Sequence, residues 1–204
     1  MQIYQAGEGG NLPRYFSVIN GPEAETGAVQ RGKEVAAVIG RLLASFRSAG
    51  ALVVFTAFGS LTEDGRDLVP YVRLWNSKCR ERLGIPAIVA AGDPDYAIMP
   101  ELTPKPNEPV VNKTAQGAFN SSALDHVLKQ NGIDTLVITG MYTNHCVMAT
   151  CIGAADAGYR VIVPDDAVGS WRSDLHEQAL EMMRSWIIRS SCSRIVRDME
   201  SSVP

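Results

Sequence analysis

The chain alternates short apolar runs with longer stretches in which apolar residues recur every three or four positions. The short runs predict strands at residues 14–20, 51–58, 109–112, 135–140, 160–163 and 193–196. The longer stretches predict helices at residues 28–49, 121–130, 145–157 and 174–189. Such an alternation is typical of parallel βαβ units. We therefore expect a single α/β domain over residues 1–204, with a central and mostly parallel sheet.

The predicted elements differ in the strength of their signals. In the first helix, Val35, Ile39 and Leu42 follow helical spacing, and Gly50 marks the end. Residues 51–58 are a continuous apolar run, which is typical of a strand covered on both faces. Residues 59–107 are rich in proline, so we expect loops with only short elements there.

Composition and charge exclude several classes of partner. The formal net charge is -3 and the basic residues are scattered, so we expect no nucleic-acid partner. No apolar run approaches the ~18–20 residues of a membrane span, and residues 1–13 lack the pattern of a signal peptide. Four cysteines in 204 residues are typical of a reducing compartment. We expect a soluble, cytoplasmic protein without a membrane partner.

Metal and nucleotide motifs are missing from the sequence. The three histidines do not form a pair at metal-ligand spacing. The GEGG segment at residues 7–10 follows no predicted strand, which is the context that a nucleotide-binding loop needs. We therefore expect neither a metal nor a cofactor.

One cysteine lies at the start of a predicted helix. Residues 134–149 read DTLVITGMYTNHCVMA, which predicts a strand, a turn and a helix with Cys146 in its first turns. Ligands of open α/β sheets bind at the carboxyl ends of the strands, and a helix N-terminus favours the reactive thiolate. Cys146 is therefore a candidate nucleophile. The alternative is a buried apolar filler, which is what we expect of Cys79, Cys151 and Cys192.

A lysine ends another predicted strand. The segment PVVNKTAQGAFN carries Lys113 from an apolar strand into a loop that precedes the next helix. An ammonium group in this place can stabilise a neighbouring thiolate or carboxylate. The alternative is a solvated lysine beside a turn.

Two longer segments carry a family resemblance. VVNKTAQGAFNSSALDHVL and LVITGMYTNHCVMATCIGAADAGYRVIVPDDAV closely resemble the two diagnostic blocks of the isochorismatase-like cysteine hydrolases. That family includes nicotinamidases, N-carbamoylsarcosine amidases and ureidoacrylate amidohydrolases. Lys113 with Gly117-Ala118-Phe119 resembles the catalytic lysine motif, and the segment around Cys146 resembles Gly-Val-x-Thr-Asn-x-Cys-Val.

The resemblance implies a function as well as a three-layer α/β fold. The expected function is hydrolysis of a small carboxamide or ureide C–N bond through a thioester, with an Asp–Lys–Cys triad. Backbone N–H groups of Cys146 and Tyr142 would form the oxyanion hole, next to a cis Met141-Tyr142 peptide. Relatives commonly form oligomers, so a homo-oligomer, either dimer or tetramer, is expected. The substrate-binding residues that we predict are Tyr142, Asn144, Phe119, Gln116, Trp75 and Asn76.

The sequence departs from the family where the aspartate should stand. The family's first strand ends in Val-Ile-Asp-x-Gln, whereas Val18-Ile19 is followed here by Asn20. An amide cannot accept a thiol proton, so the protein would be altered in activity, use Glu23 or Glu25, or be a non-catalytic binder. A deliberate substitution at residue 20 is a further explanation. If Asn20 holds the position of the base, Asn20→Asp should raise hydrolysis by ~10²–10⁴-fold.

The metal site of the nicotinamidases has no counterpart in the sequence. Those enzymes place Asp-x-His-x-His shortly after the second strand, and the matching segment FTAFGSLTEDG lacks histidine. Trp75 and Asn76, in YVRLWNSKCRERLG, are within reach of a substrate in this alignment. The alternative for both is packing of a loop.

Overall fold

The fold is an α/β arrangement of parallel strands and flanking helices. A computed structural model describes residues 1–201. The strands are β1 Phe55–Phe58, β2 Val110–Lys113, β3 Thr135–Val137, β4 Gly140–Met141, β5 Arg160–Pro164, β6 Val168–Gly169 and β7 Ile188–Ser190. The helices are α1 Ile3–Ala6, α2 Asn11–Asn20, α3 Pro22–Ser48, α4 Pro70–Leu83, α5 Leu124–Gln130, α6 Met148–Asp156, α7 Ser173–Met183 and α8 Cys192–Ser201.

The strands form three separate parallel groups. β1 pairs with β2, so that Phe58 lies opposite Lys113. β5 lies between β3 and β7, and the short strands β4 and β6 pair with each other. All of these pairings are parallel, as the alternating sequence pattern predicted.

Two hydrophobic clusters stabilise the fold. The larger one joins α1, α2, α3 and α4 with α8, and includes Tyr4, Val35 and Phe58. The second joins α5, α6 and α7 with β5, and includes Leu180 and Met183. The helices therefore lie on more than one side of the strands, as a layered α/β protein requires. Within residues 1–201, none of the helices is both long enough and apolar enough to cross a bilayer.

The predicted strand at residues 14–20 is wrong. These residues belong to helix α2, which buries Leu12, Tyr15 and Phe16. These three residues are at positions i, i+3 and i+4, which lie on one face of a helix. Val18 and Ile19, which suggested a strand, lie near the end of this helix and are 46% and 45% exposed. Helical burial of the earlier residues outweighs the local β-propensity of this pair.

Residues 59–107 contain more regular structure than predicted. α4 spans 14 residues there, starts with Pro70 and is followed by Gly84 at φ 73. The helix buries Val72 and Cys79 but few other side chains, so its apolar pattern is weak. The rest of this region is mostly loops and short turns, as expected.

The C-terminal elements are shifted from their predicted positions. The helix predicted to reach residue 189 ends at Met183, and β7 follows it. Residues 193–196, predicted as a strand, lie in α8. The backbone N–H of Arg194 donates to Ser191 Oγ (3.3 Å), so Ser191 caps this helix. The predicted helices and strands between residues 109 and 163 are confirmed to within a few residues.

Candidate active site

Lys113 lies buried at the carboxyl end of β2. Its side chain is 3% exposed, and its Nζ lies 4.0 Å from the centre of the Phe58 ring. The following loop turns around the ammonium group, which donates to the carbonyls of Ala115 and Gln116, each at 2.8 Å. The alternative of a solvated lysine is wrong, because the loop replaces water around this charge.

Gly117 allows that loop to approach α6. A Cβ at this position would lie 3.0 Å from Asn120 Oδ1 and 3.2 Å from the carbonyl oxygen of Ala149. The backbone N–H of Ala118 donates to Thr150 Oγ1 at 3.3 Å, which ties the loop to the same helix. A side chain at residue 117 would therefore push the lysine loop away from the helix that follows Cys146.

Cys146 lies in a five-residue π-helical turn, Thr143–Val147, between β4 and α6. The backbone N–H groups of His145 and Val147 both donate to the carbonyl of Tyr142, at 3.0 and 3.2 Å. The Met141-Tyr142 peptide is cis, as the family resemblance implied. Cys146 is therefore two residues before Met148, the first residue of α6, close to the predicted position at the start of a helix.

Three side chains hold this turn in place. The hydroxyl of Thr143, which is fully buried, lies 2.9 Å from His176 Nδ1 on α7. Ser170 donates to Asn144 Oδ1 at 2.7 Å, and the hydroxyl of Tyr142 donates to the carbonyl of Gln5. Because these three residues, which precede Cys146 in the turn and its N-cap, are anchored, the sulfur of Cys146 has a defined position.

The structure brings Cys146 and Lys113 together. Their Sγ and Nζ atoms are 3.5 Å apart, and Cys146 Sγ donates to Gln116 Oε1 at 2.8 Å. An ammonium has three N–H donors, and the three neighbours of Nζ are two carbonyls and this sulfur. Burial lowers the pKa of Lys113, while the charge of Cys146 acts in the opposite direction.

A very small cavity lies in front of the cysteine. Its volume is about 10 Å³, close to the space that one water molecule needs. Apolar and aromatic side chains form most of its wall: Leu12, Phe16, Phe58, Trp75, Ile88 and Tyr142. Gln5, Gln116 and His145 supply polar groups beside Cys146. Cys146 and Lys113 also line a second cavity of about 850 Å³, so the small cavity does not by itself set the size of a substrate.

The predicted substrate-binding residues divide into two groups. Trp75, Gln116 and Tyr142 line the cavity at Cys146. Both ends of the Asn76 amide bind the backbone of Ile88, at 3.1 and 2.8 Å, so Asn76 holds a loop.

Phe119 and Asn144 are not among the residues lining the small cavity at Cys146. The ring centres of Phe119 and Tyr159 are 5.4 Å apart. Phe119 also packs against Gly153, where an added Cβ would lie 3.0 Å from the Cβ of Phe119. The side-chain oxygen of Asn144 accepts a hydrogen bond from the hydroxyl of Ser170. For the described conformation, these contacts assign packing to Phe119 and anchoring of the turn to Asn144.

Asn20 does not reach the site. It is the last residue of α2, is exposed, and donates from Nδ2 to the carbonyl of Phe16 at 3.3 Å. Glu23 and Glu25, the alternative acids, lie in the first turn of α3 and do not line the cavity at Cys146. The expectation that Asn20 replaces the catalytic aspartate is therefore wrong, because it depended on a strand that is a helix.

The side chain of Gln2 is bonded to the backbone at the end of β1. Gln2 is buried, accepts from the backbone N–H of Phe58 and donates to the carbonyl of Tyr96, both at 2.7 Å. The α-amino group of Met1 is buried, and burial lowers its pKa to about 6.

Sequence reasoning missed Gln5 and His145. Both line the cavity, and burial lowers the pKa of His145, which favours the neutral ring. His145 directly precedes the cysteine, which was a usable signal.

The other cysteines lie in apolar surroundings. Burial raises the pKa of Cys79 to about 11 and those of Cys151 and Cys192 to about 12. All three are buried, whereas Cys146 is partly accessible. Within the described chain, no three His, Cys, Asp or Glu side chains lie close enough together to hold a metal ion.

Sequence comparisons find relatives with named activities. A family model described as Isochorismatase domain matches residues 15–192. Ureidoacrylate amidohydrolase RutB of Variovorax paradoxus is 36% identical over 136 residues, which are 63% of this chain and 54% of that protein. Maleamate amidohydrolase of Pseudomonas putida is 31% identical over 139 residues, 68% of this chain and 62% of that protein. The matches span less than two thirds of either relative's length.

Solved structures share the fold. An isochorismatase family protein from Burkholderia thailandensis is similar with a TM-score of 0.70 at 28% identity, over 83% of this chain and 84% of that one. A cysteine hydrolase from Pseudomonas syringae pv. phaseolicola gives a TM-score of 0.76 at 22% identity, over 84% of this chain and 82% of that one. The second likeness concerns the fold alone.

Proposed function

Because the chain belongs to the isochorismatase family, we propose that it hydrolyses the C–N bond of a small carboxamide or ureide with Cys146 as nucleophile. The observation that carries the proposal is the 3.5 Å separation of Cys146 Sγ from the buried ammonium of Lys113. Nucleophilic catalysis needs a group that keeps the sulfur deprotonated, and Lys113 can do this.

The proposed first step is proton transfer within this pair. Burial lowers the pKa of Lys113, so its amine can accept the thiol proton and become the ammonium that stabilises the thiolate. The other two N–H groups of the ammonium then donate hydrogen bonds to the carbonyls of Ala115 and Gln116. A rotation of the Gln116 amide by 180° would let it donate to the same sulfur, so this side chain can serve the thiol or the thiolate.

The thiolate then attacks the carbonyl carbon of the substrate. The new C–S bond converts the carbonyl oxygen to an oxyanion, for which the backbone N–H groups of Tyr142 and Cys146 are the proposed donors. Collapse of this intermediate breaks the C–N bond, and Lys113 returns the proton to the leaving nitrogen. Water then attacks the thioester, and the thiol leaves with a proton as the acid is released.

The substrate class follows from the relatives and from the site. The named relatives are an ureidoacrylate and a maleamate amidohydrolase, which by their names act on small molecules with an amide or ureide group. The aromatic and apolar side chains beside Cys146 are consistent with a compact organic substrate. We propose a substrate of the same class, a small amide or ureide.

A second function is favoured by one observation. Among residues 1–201, no carboxylate side chain lines the cavity at Cys146. A protein that lacks an efficient general base would bind amides or ureides without turning them over at a useful rate. A non-catalytic small-molecule binder on the same scaffold is therefore the alternative.

A screen for released ammonia distinguishes the two functions. The protein and its Cys146→Ala variant are incubated with a panel of small amides and ureides that includes ureidoacrylate and maleamate. Turnover of at least one compound by the parent, reduced more than about 10³-fold in the variant, is expected. A compound that raises the melting temperature but releases no ammonia would support the binder instead.

We also propose a cytoplasmic homo-oligomer built from one such domain per chain. Light scattering of the purified protein should give a mass of at least twice 22.0 kDa. A single species at the monomer mass would contradict the proposed assembly.

A further inference from the structure

Helix α2 forms one side of the small cavity at Cys146. Leu12 and Phe16 lie one turn apart on the buried face of this helix, and both line the cavity. Neither residue borders the larger cavity that also reaches Cys146. None of the steps proposed for hydrolysis uses these two side chains, although they line the same cavity as the nucleophile.

The ring of Phe16 lies between two other aromatic rings. It stacks on Trp171, with ring centres 5.5 Å apart and an angle of 22° between the planes. It also meets the ring of Tyr142 edge-on, with ring centres 5.3 Å apart. Both arrangements are favourable for aromatic pairs, and a rotation of the Phe16 side chain would break both. The ring is therefore a fixed wall of the cavity.

The two partner rings are anchored close to the nucleophile. Tyr142 is the N-cap of the turn that carries Cys146. The guanidinium of Arg172 lies 5.4 Å from the centre of the Trp171 ring. Ser170, the residue before Trp171, donates to Asn144 in the same turn at 2.7 Å. Phe16 and the sulfur are therefore positioned by the same set of contacts.

Helix α2 is also held in place as a whole. The side-chain amide of Asn11, its first residue, donates to the carbonyl of Pro86 at 2.9 Å. The ring of Tyr15 meets that of Trp75 on α4 edge-on, with ring centres 5.7 Å apart. Because the helix is bound at its start and along its face towards α4, a shift of the helix would break these contacts as well.

We propose that Phe16 is a specificity-determining residue that limits the size of the substrate group bound beside Cys146 on the side of α2. The inference rests on the proposed hydrolysis and names a residue that selects among amides. The free space on this side is about 10 Å³, so a phenyl-sized substituent would overlap the Phe16 ring. A ring held by two aromatic partners cannot make room at low cost, since closely packed interiors resist added volume.

Alkylation of Cys146 tests the proposal without any turnover. Iodoacetamide and its N-phenyl derivative react through the same carbon but differ by one ring. The ratio of their rate constants, small reagent over large and corrected by the same ratio for free cysteine, measures selection by size. It is measured in the parent, Phe16→Leu and Phe16→Ala. Tyr15→Leu is the matched control, because it removes from the same helix a ring that does not line the cavity.

The parent should prefer the small reagent by at least about 30-fold, and this preference should fall at least about threefold in Phe16→Leu and about tenfold in Phe16→Ala. Tyr15→Leu should keep the ratio of the parent. Melting curves show which variants are folded, and Phe16→Leu decides alone if Phe16→Ala is not. An unchanged ratio in the folded Phe16 variants would overturn the proposal, since large reagents would then reach the sulfur from the larger cavity.

Turnover gives a second readout that separates this proposal from the proposed function. The value of kcat/KM for benzamide relative to acetamide should rise at least about tenfold in Phe16→Ala. Hydrolysis with an unchanged preference and an unchanged alkylation ratio would overturn the role of Phe16 and leave the hydrolysis intact. Absence of turnover in every variant, with the expected change in alkylation ratio, would contradict the hydrolysis and support Phe16 as the wall that selects by size.

Discussion

At the scale of single residues, the four cysteines differ mainly in what surrounds the sulfur. Cys146 is partly accessible and has a buried ammonium at 3.5 Å, whereas the other three are enclosed by apolar side chains. Alkylating reagents react with thiolates. The environment of each sulfur therefore predicts its reactivity, and Cys146 should be the reactive one.

Alkylation by iodoacetamide tests this difference. At pH 7 the first label should appear on Cys146 alone, at a rate at least about tenfold above the others. Cys79, Cys151 and Cys192, with pKa values raised by burial to about 11, 12 and 12, should stay unmodified until the protein unfolds. Peptide mapping of partly labelled protein gives the answer. Equal labelling of Cys146 and Cys151 would contradict the assignment.

The role of Lys113 is tested by removing its charge and keeping its stem. Lys113→Met should slow the alkylation of Cys146 at pH 7 by about tenfold or more and lower any turnover by ~10²–10⁴-fold. The fold should tolerate the change, since a buried charge is replaced by an apolar group of similar length. Lys129→Met, on the exposed face of α5, is the matched control. Unchanged alkylation in Lys113→Met would remove the lysine from the mechanism.

Asn20→Asp should have almost no effect on hydrolysis, in contrast to the large gain that the sequence suggested. Because Asn20 is exposed at the end of α2, a carboxylate there should change hydrolysis by less than about twofold, compared with the ~10²–10⁴-fold expected of a general base. A negative charge at a helix C-terminus should cost ~0.3–1 kcal/mol of stability. Ammonia release and denaturant unfolding measure the two effects. A large gain in rate would mean that Asn20 reaches Cys146 after all.

At the scale of elements, the turn that carries Cys146 is fixed by its neighbours on other elements. Thr143 in the turn is bound to His176 on α7, and burial lowers the pKa of His176, with Arg31 as a second cause in the same direction. A buried neutral histidine has to be kept unprotonated in the folded state. The bond between the turn and α7 should therefore depend on pH.

The sign of this dependence follows from linkage. The folded pKa of His176 is below its ordinary value of 6.5, so its contribution to stability is complete above that pH and is lost as pH falls through the folded value. The melting temperature should fall between pH 7.5 and 5, and less so in His176→Asn than in the parent. His126→Asn, at an exposed position, is the control. An equal fall in parent and His176→Asn would contradict the account.

Sequence patterns predicted some elements well and others badly, for physical reasons. β2, α5, β3 and β5 carry strong apolar patterns and short, well-marked boundaries, and they lie close to their predicted positions. In α8, Cys192, Ile195, Val196 and Met199 follow helical spacing and pack on the larger cluster, but residues 193–196 alone are too short a window to show this period. Residues 14–20 combine a strand-like composition with helical burial, and burial is decided by tertiary contacts that a local pattern does not contain.

At the scale of the whole molecule, the sequence predicted the parallel α/β fold and the meeting of Lys113 with Cys146. Both lie at carboxyl ends of strands, and in parallel sheets these ends share one edge. The split of the strands into separate groups could not be predicted, because residues 51–58 and 135–140 each look like interior strands. Which backbone edges of these strands are paired is visible only once the strands are placed in space.

The central claim is cysteine-dependent hydrolysis, and detection of the thioester intermediate on Cys146 tests it most directly. The protein is mixed with an amide or ureide that releases ammonia, quenched with acid, and its intact mass and Cys146 peptide are measured. The account predicts an acyl adduct on Cys146, with no adduct and more than about 10³-fold less ammonia from Cys146→Ala at an unchanged melting temperature. Ammonia release by Cys146→Ala within about tenfold of the parent would contradict it.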